Sequence, residues 1–186
     1  MRKNKIVLIG ASTGGPGHLR KLLLSLSESM NYSIIISQHM NSNVVASFAT
    51  QMQENCSLPV ILAKDKLKII QGNIYICAIS MELIMQNNAL YLVKSNNEDI
   101  YSPSVNTLFY SAKNLLSGTS LIAILLTGIG DDGARGMLEL YNTGAYCIAE
   151  SQESAVVYGM PKQAYILNKH LDVMHLHKII EYLQHA

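Results

Sequence analysis

Tryptophan is absent from this 186-residue chain, which also has only two phenylalanines, four prolines and no long charged or apolar run. Because no stretch approaches the roughly 20 apolar residues of a membrane span, the sequence predicts no transmembrane helix. The first apolar run, residues 6–9, is too short for the core of a signal peptide. A net charge of +1 creates no field that attracts nucleic acid or anionic lipid. The shortage of Trp and Phe argues against a surface that stacks bases, although ten tyrosines weaken this second argument.

Cysteine is also scarce. Cys56, Cys77 and Cys147 are far apart, odd in number and free of any Cys-x-x-Cys pair, so neither structural disulfides nor a zinc site is expected. Reduced cysteines fit a reducing cytoplasm, which is the predicted location. Since no proline-rich linker or low-complexity segment interrupts the chain, residues 1–186 are predicted to form one domain.

Short β-rich runs alternate with helical patterns. The predicted strands are residues 6–9, 33–37, 60–63, 74–79, 90–94, 121–126 and 145–149, and the predicted helices are 15–29, 44–54, 104–116, 134–141, 161–167 and 175–184. Several strands are continuous in Ile, Val and Leu, as expected where helices cover both faces of a parallel sheet. The fold class is therefore α/β, a doubly wound and mostly parallel sheet flanked by helices. The polar turn at residues 86–88 leaves little room for a helix, so strands 74–79 and 90–94 are predicted to form a short antiparallel excursion.

The first strand runs directly into the pattern Gly10-x-Ser12-x-Gly14, which a helical pattern follows. A strand, this pattern and a helix are the context of a nucleophile elbow, in which a sharp turn exposes the serine at the carboxyl end of the sheet. Ser12 is thus a candidate nucleophile. Two alternatives remain open: a phosphate-binding loop of a nucleotide-binding domain, and a plain turn with an exposed serine. The loop lacks Gly-x-Gly-x-x-Gly and has Pro16 where a P-loop needs lysine.

Two further strands end in residues that complement a serine nucleophile. His39 follows residues 33–37, at the same sheet edge as Ser12, where it can serve as the base that a hydroxyl requires. A histidine after a strand is more often structural when considered alone. Asp131 and Asp132 follow residues 121–126 in a glycine-rich loop, where a carboxylate can orient His39 and backbone amides can approach a carbonyl oxygen. The alternative role for either aspartate is to cap the next helix.

Four blocks of sequence carry a family resemblance: Ile-Gly-Ala-Ser-Thr-Gly-Gly-Pro at 9–16, Gln-His-Met at 38–40, Leu-Thr-Gly-Ile-Gly-Asp-Asp-Gly-Ala at 126–134, and Val-Val-Tyr-Gly-Met-Pro at 156–161. In this order they resemble the catalytic domain of the chemotaxis protein-glutamate methylesterases, CheB. The resemblance implies a cytoplasmic enzyme that hydrolyses glutamyl methyl esters on the cytoplasmic domains of chemoreceptors and releases methanol, without metal or organic cofactor. Members also deamidate receptor glutamines. The alternative is a non-catalytic signalling module that keeps the fold and binds a receptor-like partner.

The resemblance assigns the three central roles. Ser12 matches the nucleophile, His39 the general base and Asp132 the carboxylate that orients it. Asp131 falls where the family often has Asn, and it is placed outside this triad.

Three more positions receive expected roles from the same resemblance. The backbone amide of Ile129 matches the oxyanion donor. The hydroxyl of Thr13, beside the nucleophile, is expected to bond to the triad. Met160 lies in a loop that borders the substrate cleft, although Pro161 after it is also typical of a helix start.

Some loops depart from the family pattern, and they lie where the substrate would bind. Asn41, Ser80 and the pair Tyr101-Ser102 stand where the family usually has other residues. Family members usually carry a regulatory receiver domain and linker ahead of this domain, whereas the first strand here starts by residue 5. Unless the chain is a fragment, control by phosphorylation in cis is expected to be absent, and a regulator in trans is a possible partner.

The remaining histidines are predicted to have no role in the site. His175 and His177 are expected on different faces of a helix, which argues against a metal site that also includes His170 or His185. His18 is predicted to be exposed in the first turn of a helix.

Overall fold

A computed structural model describes residues 4–115 and 118–186 of the chain. Its strands are β1 (Asn4–Ala11), β2 (Ser33–Gln38), β3 (Val60–Leu62), β4 (Leu67–Lys68), β5 (Ile74–Cys77), β6 (Met81–Gln86), β7 (Ala89–Lys94), β8 (Thr119–Leu125), β9 (Tyr146–Glu150) and β10 (Asp172–Met174). Its helices are α1 (Gly15–Leu24), α2 (Ser42–Asn55), α3 (Val105–Ala112), α4 (Ala134–Asn142), α5 (Met160–Leu167) and α6 (Leu176–Gln184).

In the described residues, seven strands form a parallel sheet in the order β10-β9-β8-β1-β2-β5-β3. Strand β1 lies between β2 and β8, with Ile9 opposite Ile36 on one side and Ile124 on the other. After β1 the chain adds β2, β3 and β5 on one side of this strand, and later it adds β8, β9 and β10 on the other side. Ligands bind at such a reversal, beyond the carboxyl ends of the strands. The predicted doubly wound fold is therefore confirmed, and its reversal point lies beside β1.

Both faces of the parallel sheet are buried, which explains the continuous apolar runs. In β1, Ile6 and Leu8 join one hydrophobic cluster, and Val7 and Ile9 join the other. The first cluster lies under α3, α4, α5 and the small sheet, and the second lies under α1, α2 and α6. Alternate side chains of one strand thus hold helices on opposite faces.

The predicted antiparallel excursion exists, but one of its strands was assigned wrongly. Strand β7 pairs with β6, and the two residues between them, Asn87 and Asn88, both have positive φ, as in the type I′ turns of two-residue hairpins. Strand β4 pairs with the other edge of β7. The run that begins at Ile74 instead lies in the parallel sheet between β2 and β3. All four residues of β5 are buried, as the centre of a two-sided sheet requires, whereas β6 buries only Met81 and Leu83.

Several predicted boundaries also shift. Helix α1 ends at Leu24, and α3 ends at Ala112 in a 3₁₀ turn, Lys113–Leu115. The predicted end of that helix, residue 116, lies outside the described residues. Strands β4 and β10 are too short to give a sequence pattern. No helix in the described parts of the chain has the length and apolar character needed to cross a membrane.

Candidate active site

Three adjacent strands deliver the predicted residues to one edge of the sheet. Ser12 follows β1, His39 follows β2, and the loop that contains Asp132 follows β8. Backbone hydrogen bonds join these ends: the Ser12 N–H donates to the Thr127 carbonyl (3.0 Å) and the His39 N–H donates to the Ala11 carbonyl (3.0 Å). The relative positions of the three loops are therefore set by main-chain geometry.

The carboxylate of Asp132 is buried and fully engaged. Its Oδ2 lies 2.7 Å from His39 Nε2 and also accepts the Val105 N–H (2.7 Å), while its Oδ1 accepts the Asn106 N–H (2.9 Å). These two amides belong to the first turn of α3, where the helix dipole favours negative charge. Asp132 thus contacts the start of α3, and not that of α4, whose N-cap Gly133 has no side-chain cap. Asp131 is exposed.

The imidazole of His39 has one nitrogen committed. A carboxylate only accepts hydrogen bonds, so Nε2 carries the proton toward Asp132, and Nδ1 remains to accept a proton in the neutral ring. The Tyr101 ring stacks on the imidazole with centroids 4.9 Å apart and planes 6° from parallel. Sequence reasoning placed Tyr101 only among the altered loops and missed this contact.

Ser12 is half-buried, and its hydroxyl forms no hydrogen bond with His39 in the described structure. Bonds between nucleophile and base are often long before substrate binds. The neighbour Thr13 is exposed, and within residues 4–115 and 118–186 its hydroxyl forms no hydrogen bond with Ser12, His39 or Asp132. Its carbonyl instead accepts the Thr127 hydroxyl (2.8 Å).

The loop after β8 presents a free amide beside Ser12. Ile129 is 61% exposed, and its N–H meets no protein acceptor in the described residues. The preceding Gly128 packs so closely that an added Cβ would lie 2.7 Å from Ser12 Cβ. The Gly128 N–H donates to the Val157 carbonyl (3.0 Å), and its carbonyl accepts the Met160 N–H (2.9 Å). The loop is thereby fixed against the start of α5.

The comparison with known proteins agrees with this geometry. The family model described as CheB methylesterase matches residues 7–183. The chain belongs to the CheB methylesterase family. The crystal structure of the CheB methylesterase catalytic domain of Thermotoga maritima superimposes with a TM-score of 0.89 and 32% sequence identity, covering 99% of each chain. The resemblance drawn from the four sequence blocks is confirmed.

Two curated CheB relatives carry the same printed name, protein-glutamate methylesterase/protein-glutamine glutaminase. The protein of Caldanaerobacter subterraneus subsp. tengcongensis is 37% identical over 169 residues, 88% of this chain and 46% of its own length. That of Pectobacterium atrosepticum is 34% identical over 183 residues, 96% of this chain and 52% of its own length. This CheB domain thus spans about half the length of the curated relatives it matches.

The expectation that Met160 lines the substrate cleft needs correction. Its side chain is fully buried, with its sulfur packed against Gly128, because Met160 is the first residue of α5 and points into the core. The alternative, a helix start with Pro161 in its first turn, describes this segment. Met160 therefore packs against the Gly128 loop from the side of the core, and its side chain has no exposed surface for a substrate to contact.

Gln38 is a residue of this CheB site that sequence reasoning missed. It is buried, and its Nε2 donates to the carbonyls of Ser12 (2.9 Å) and His39 (3.0 Å). One amide group therefore ties the Ser12 loop to the His39 loop. The sequence offered two signals for it: Gln38 is a polar residue at the end of a strand, directly before His39, and it begins the Gln-His-Met block of the family resemblance.

Two predictions about the other histidines are wrong. His18 is only 7% exposed, because the start of α1 packs against the end of β9, where its Nδ1 lies 3.2 Å from Glu150 Oε1. The rings of His175 and His177 are in contact, with Nδ1 atoms 2.7 Å apart, since His175 is the N-cap of α6 with extended backbone, so helical spacing does not apply. Within the described residues, no three His, Cys, Asp or Glu side chains are placed to hold a metal ion.

A cleft of about 470 Å³ lies beside the pair of His39 and Asp132. The charged residues of its lining are mostly acidic and include Glu98, Asp99 and Asp131, with Arg135 as the basic member. It also includes Tyr101, one of the positions that depart from the CheB pattern.

Proposed function

We propose that this chain is a serine esterase that hydrolyses glutamyl methyl esters on the cytoplasmic domains of chemoreceptors. The observation that carries the proposal is the 2.7 Å bond between His39 and the buried Asp132, on strand ends that flank the strand of Ser12. The names of the curated relatives support the substrate class.

In the proposed mechanism, Ser12 Oγ attacks the ester carbonyl while His39 Nδ1 takes its proton. Asp132 stabilises the imidazolium and holds the ring orientation. The N–H of Ile129 donates to the oxyanion, a contact of a kind whose removal costs about 3 kcal/mol of transition-state stabilisation. Methanol leaves with the proton from His39. Water then reacts by the same route in reverse and releases the glutamyl carboxylate.

The same acyl-enzyme route applies to a glutamine side chain, with ammonia as the leaving group. The relatives' printed name, which includes protein-glutamine glutaminase, supports this second activity. The attacking serine and the base would be the same, so a single substitution at Ser12 removes both activities.

The test is release of labelled methanol from membranes that carry premethylated receptors. Ser12→Ala should lower the rate by about 10³-fold or more while the melting temperature stays near that of wild type. Ser29→Ala changes an exposed serine beyond the carboxyl end of α1, whereas the Ser12 loop precedes that helix; this variant is the matched control and should react as wild type does. If folded wild type releases no methanol from several receptors and still binds them, the chain is the non-catalytic signalling module.

A further inference from the structure

Glu150, the last residue of β9, is a buried carboxylate that the mechanism above does not use. It is 0% exposed. Its Oε2 accepts the Thr127 N–H (2.7 Å), and its Oε1 accepts the Ser154 hydroxyl (2.7 Å). His18 Nδ1 lies 3.2 Å from Oε1 and 3.3 Å from Oε2. Among the described residues, His18 is the only basic side chain within ion-pair distance of this carboxylate.

Thr127 connects this carboxylate to the reacting groups. The carbonyl of Thr127 accepts the N–H of Ser12 (3.0 Å), and its hydroxyl donates to the Thr13 carbonyl (2.8 Å). Two residues further along the same loop is Ile129, the proposed oxyanion donor. The position of the Thr127 backbone thus sets both the Ser12 loop and the proposed oxyanion donor, which must act on the same carbonyl group.

We infer that Glu150 is a positioning residue for the esterase, and that His18 is the partner that allows a carboxylate to remain buried there. The inference rests on the proposed function. A buried carboxylate is costly unless donors and a compensating charge surround it. Here the donors come from the loop after β8, from α1 and from the segment after β9, so the carboxylate ties the peptide that carries the Thr127 N–H to α1 and to the start of that segment. A shift of about 1 Å in such a peptide can cost about 100-fold in rate.

Two substitutions at Glu150 separate its hydrogen bond with the Thr127 N–H from its negative charge. Glu150→Ala removes the acceptor of the Thr127 N–H, and kcat should fall about 10- to 100-fold while KM changes less than about 3-fold. Glu150→Gln keeps an oxygen for that N–H, and its amide can donate to Ser154 and to neutral His18, so kcat should stay within about 3-fold of wild type.

A matched control reports on destabilisation alone. Leu183→Ala truncates an equally buried side chain near the end of α6, away from Thr127. It should lower the melting temperature and leave kcat per folded molecule unchanged. If Glu150→Ala behaves as Leu183→Ala does, Glu150 serves stability only and the inference is overturned.

His18 provides a second, independent test in case Glu150→Ala does not fold. His18→Ala leaves the carboxylate buried without its basic partner, so both kcat and the melting temperature should fall. In the double variant His18→Ala/Glu150→Gln the charge is gone, and both quantities should recover toward wild type. Purely additive effects of the two substitutions would overturn the proposed pairing.

The rate at which a fluorophosphonate probe phosphonylates Ser12 tests the role of Glu150 without relying on the proposed receptor substrate. Ser12 Oγ attacks the phosphorus of the probe, a P–O bond forms as the P–F bond breaks, fluoride leaves and His39 takes the serine proton. This reaction needs no receptor. Should wild type react with the probe but release no methanol, the receptor substrate is wrong, and the labelling rates of the variants still decide the role of Glu150. Wild-type labelling rates in folded Glu150→Ala would overturn the inference alone, whereas a wild type inert to the probe overturns both.

Discussion

Asp132 combines a chemical and a structural task in one side chain. Its two oxygens receive the His39 ring and the first two amides of α3. The carboxylate therefore orients the imidazole and satisfies N–H groups that no residue within the helix can reach. Any substitution of Asp132 should therefore lower both activity and stability. The size of each loss should depend on which of these hydrogen bonds the new side chain retains.

Asp132→Asn keeps the shape and removes the charge. Its amide NH₂ must face either His39 or an amide of α3, so one donor meets another donor. We expect activity to fall by about 10³- to 10⁴-fold through the wrong histidine tautomer, and stability to fall by about 1–3 kcal/mol. Ester hydrolysis and urea unfolding measure the two effects. Glu54→Gln, an exposed charge change on α2, should alter neither.

Glycine is required at position 128 because neighbouring side chains approach its backbone closely, and not because of turn geometry. A Cβ there would lie 2.7 Å from Ser12 Cβ and closer still to the Met160 sulfur. Gly128→Ala should displace the nucleophile loop, with a loss of about 1–3 kcal/mol in stability and about 100-fold in rate. Gly17→Ala is the control, because a Cβ at this exposed position in α1 meets nothing within 4 Å. It should raise stability by about 0.5–1 kcal/mol and leave activity intact. A fully active Gly128→Ala enzyme would contradict the geometry.

At the scale of elements, the hairpin of β6 and β7 depends on two residues with left-handed backbone. Asn87 has φ 49° and Asn88 has φ 59°. Asparagine tolerates this region better than most residues, but glycine adopts it freely.

Asn88→Gly should therefore stabilise the protein by about 0.5 kcal/mol, and Asn88→Val should destabilise it by about 1–2 kcal/mol. The hairpin is remote from Ser12, so both variants should hydrolyse ester at the wild-type rate. Urea midpoints at constant slope give the free energies. Equal midpoints for the two variants would show that the turn is not the left-handed pair described here.

The sequence predicted the sheet and the convergence of three loops because both follow from local patterns. Apolar runs mark parallel strands, and the rule that their carboxyl ends share one edge brings Ser12, His39 and Asp132 together. The same patterns could not separate β5 from β6 as the partner of β7, since both are apolar and lie before one polar turn. The contact between His18 and Glu150 joins residues 132 positions apart, so neither side chain carries a local signal of the other.

At the scale of the whole molecule, the reactivity of the cysteines shows whether the sheet unfolds as one cooperative unit. Cys77 ends β5 and Cys147 lies in β9, on opposite sides of the central strand, and burial raises the pKa of each thiol to about 12. At pH 8, each of these two thiols would then be ionised in about one molecule in 10⁴. Cys56 is half-buried.

We expect native protein to react with iodoacetamide at Cys56 first, without loss of esterase activity, and more slowly at Cys77 and Cys147. The two buried thiols should become reactive together at the urea concentration where the sheet unfolds. Mass spectrometry after pulsed labelling follows each site. If Cys147 became reactive well before Cys77, the two halves of the sheet would unfold separately. Inactivation of the native protein that tracks alkylation of Cys56 would argue against a serine nucleophile.

The order of the strands also has a consequence for biosynthesis. Ser12 and His39 leave the ribosome early, whereas β8, which fills the remaining edge of β1 and carries Asp132 beyond its end, is made more than 100 residues after β1. Until then β1 presents an unpaired apolar edge, of the kind that invites association with other chains. A nascent chain halted before Thr119 should therefore be a client of chaperones and devoid of activity, even though two of the three proposed triad residues have already been translated.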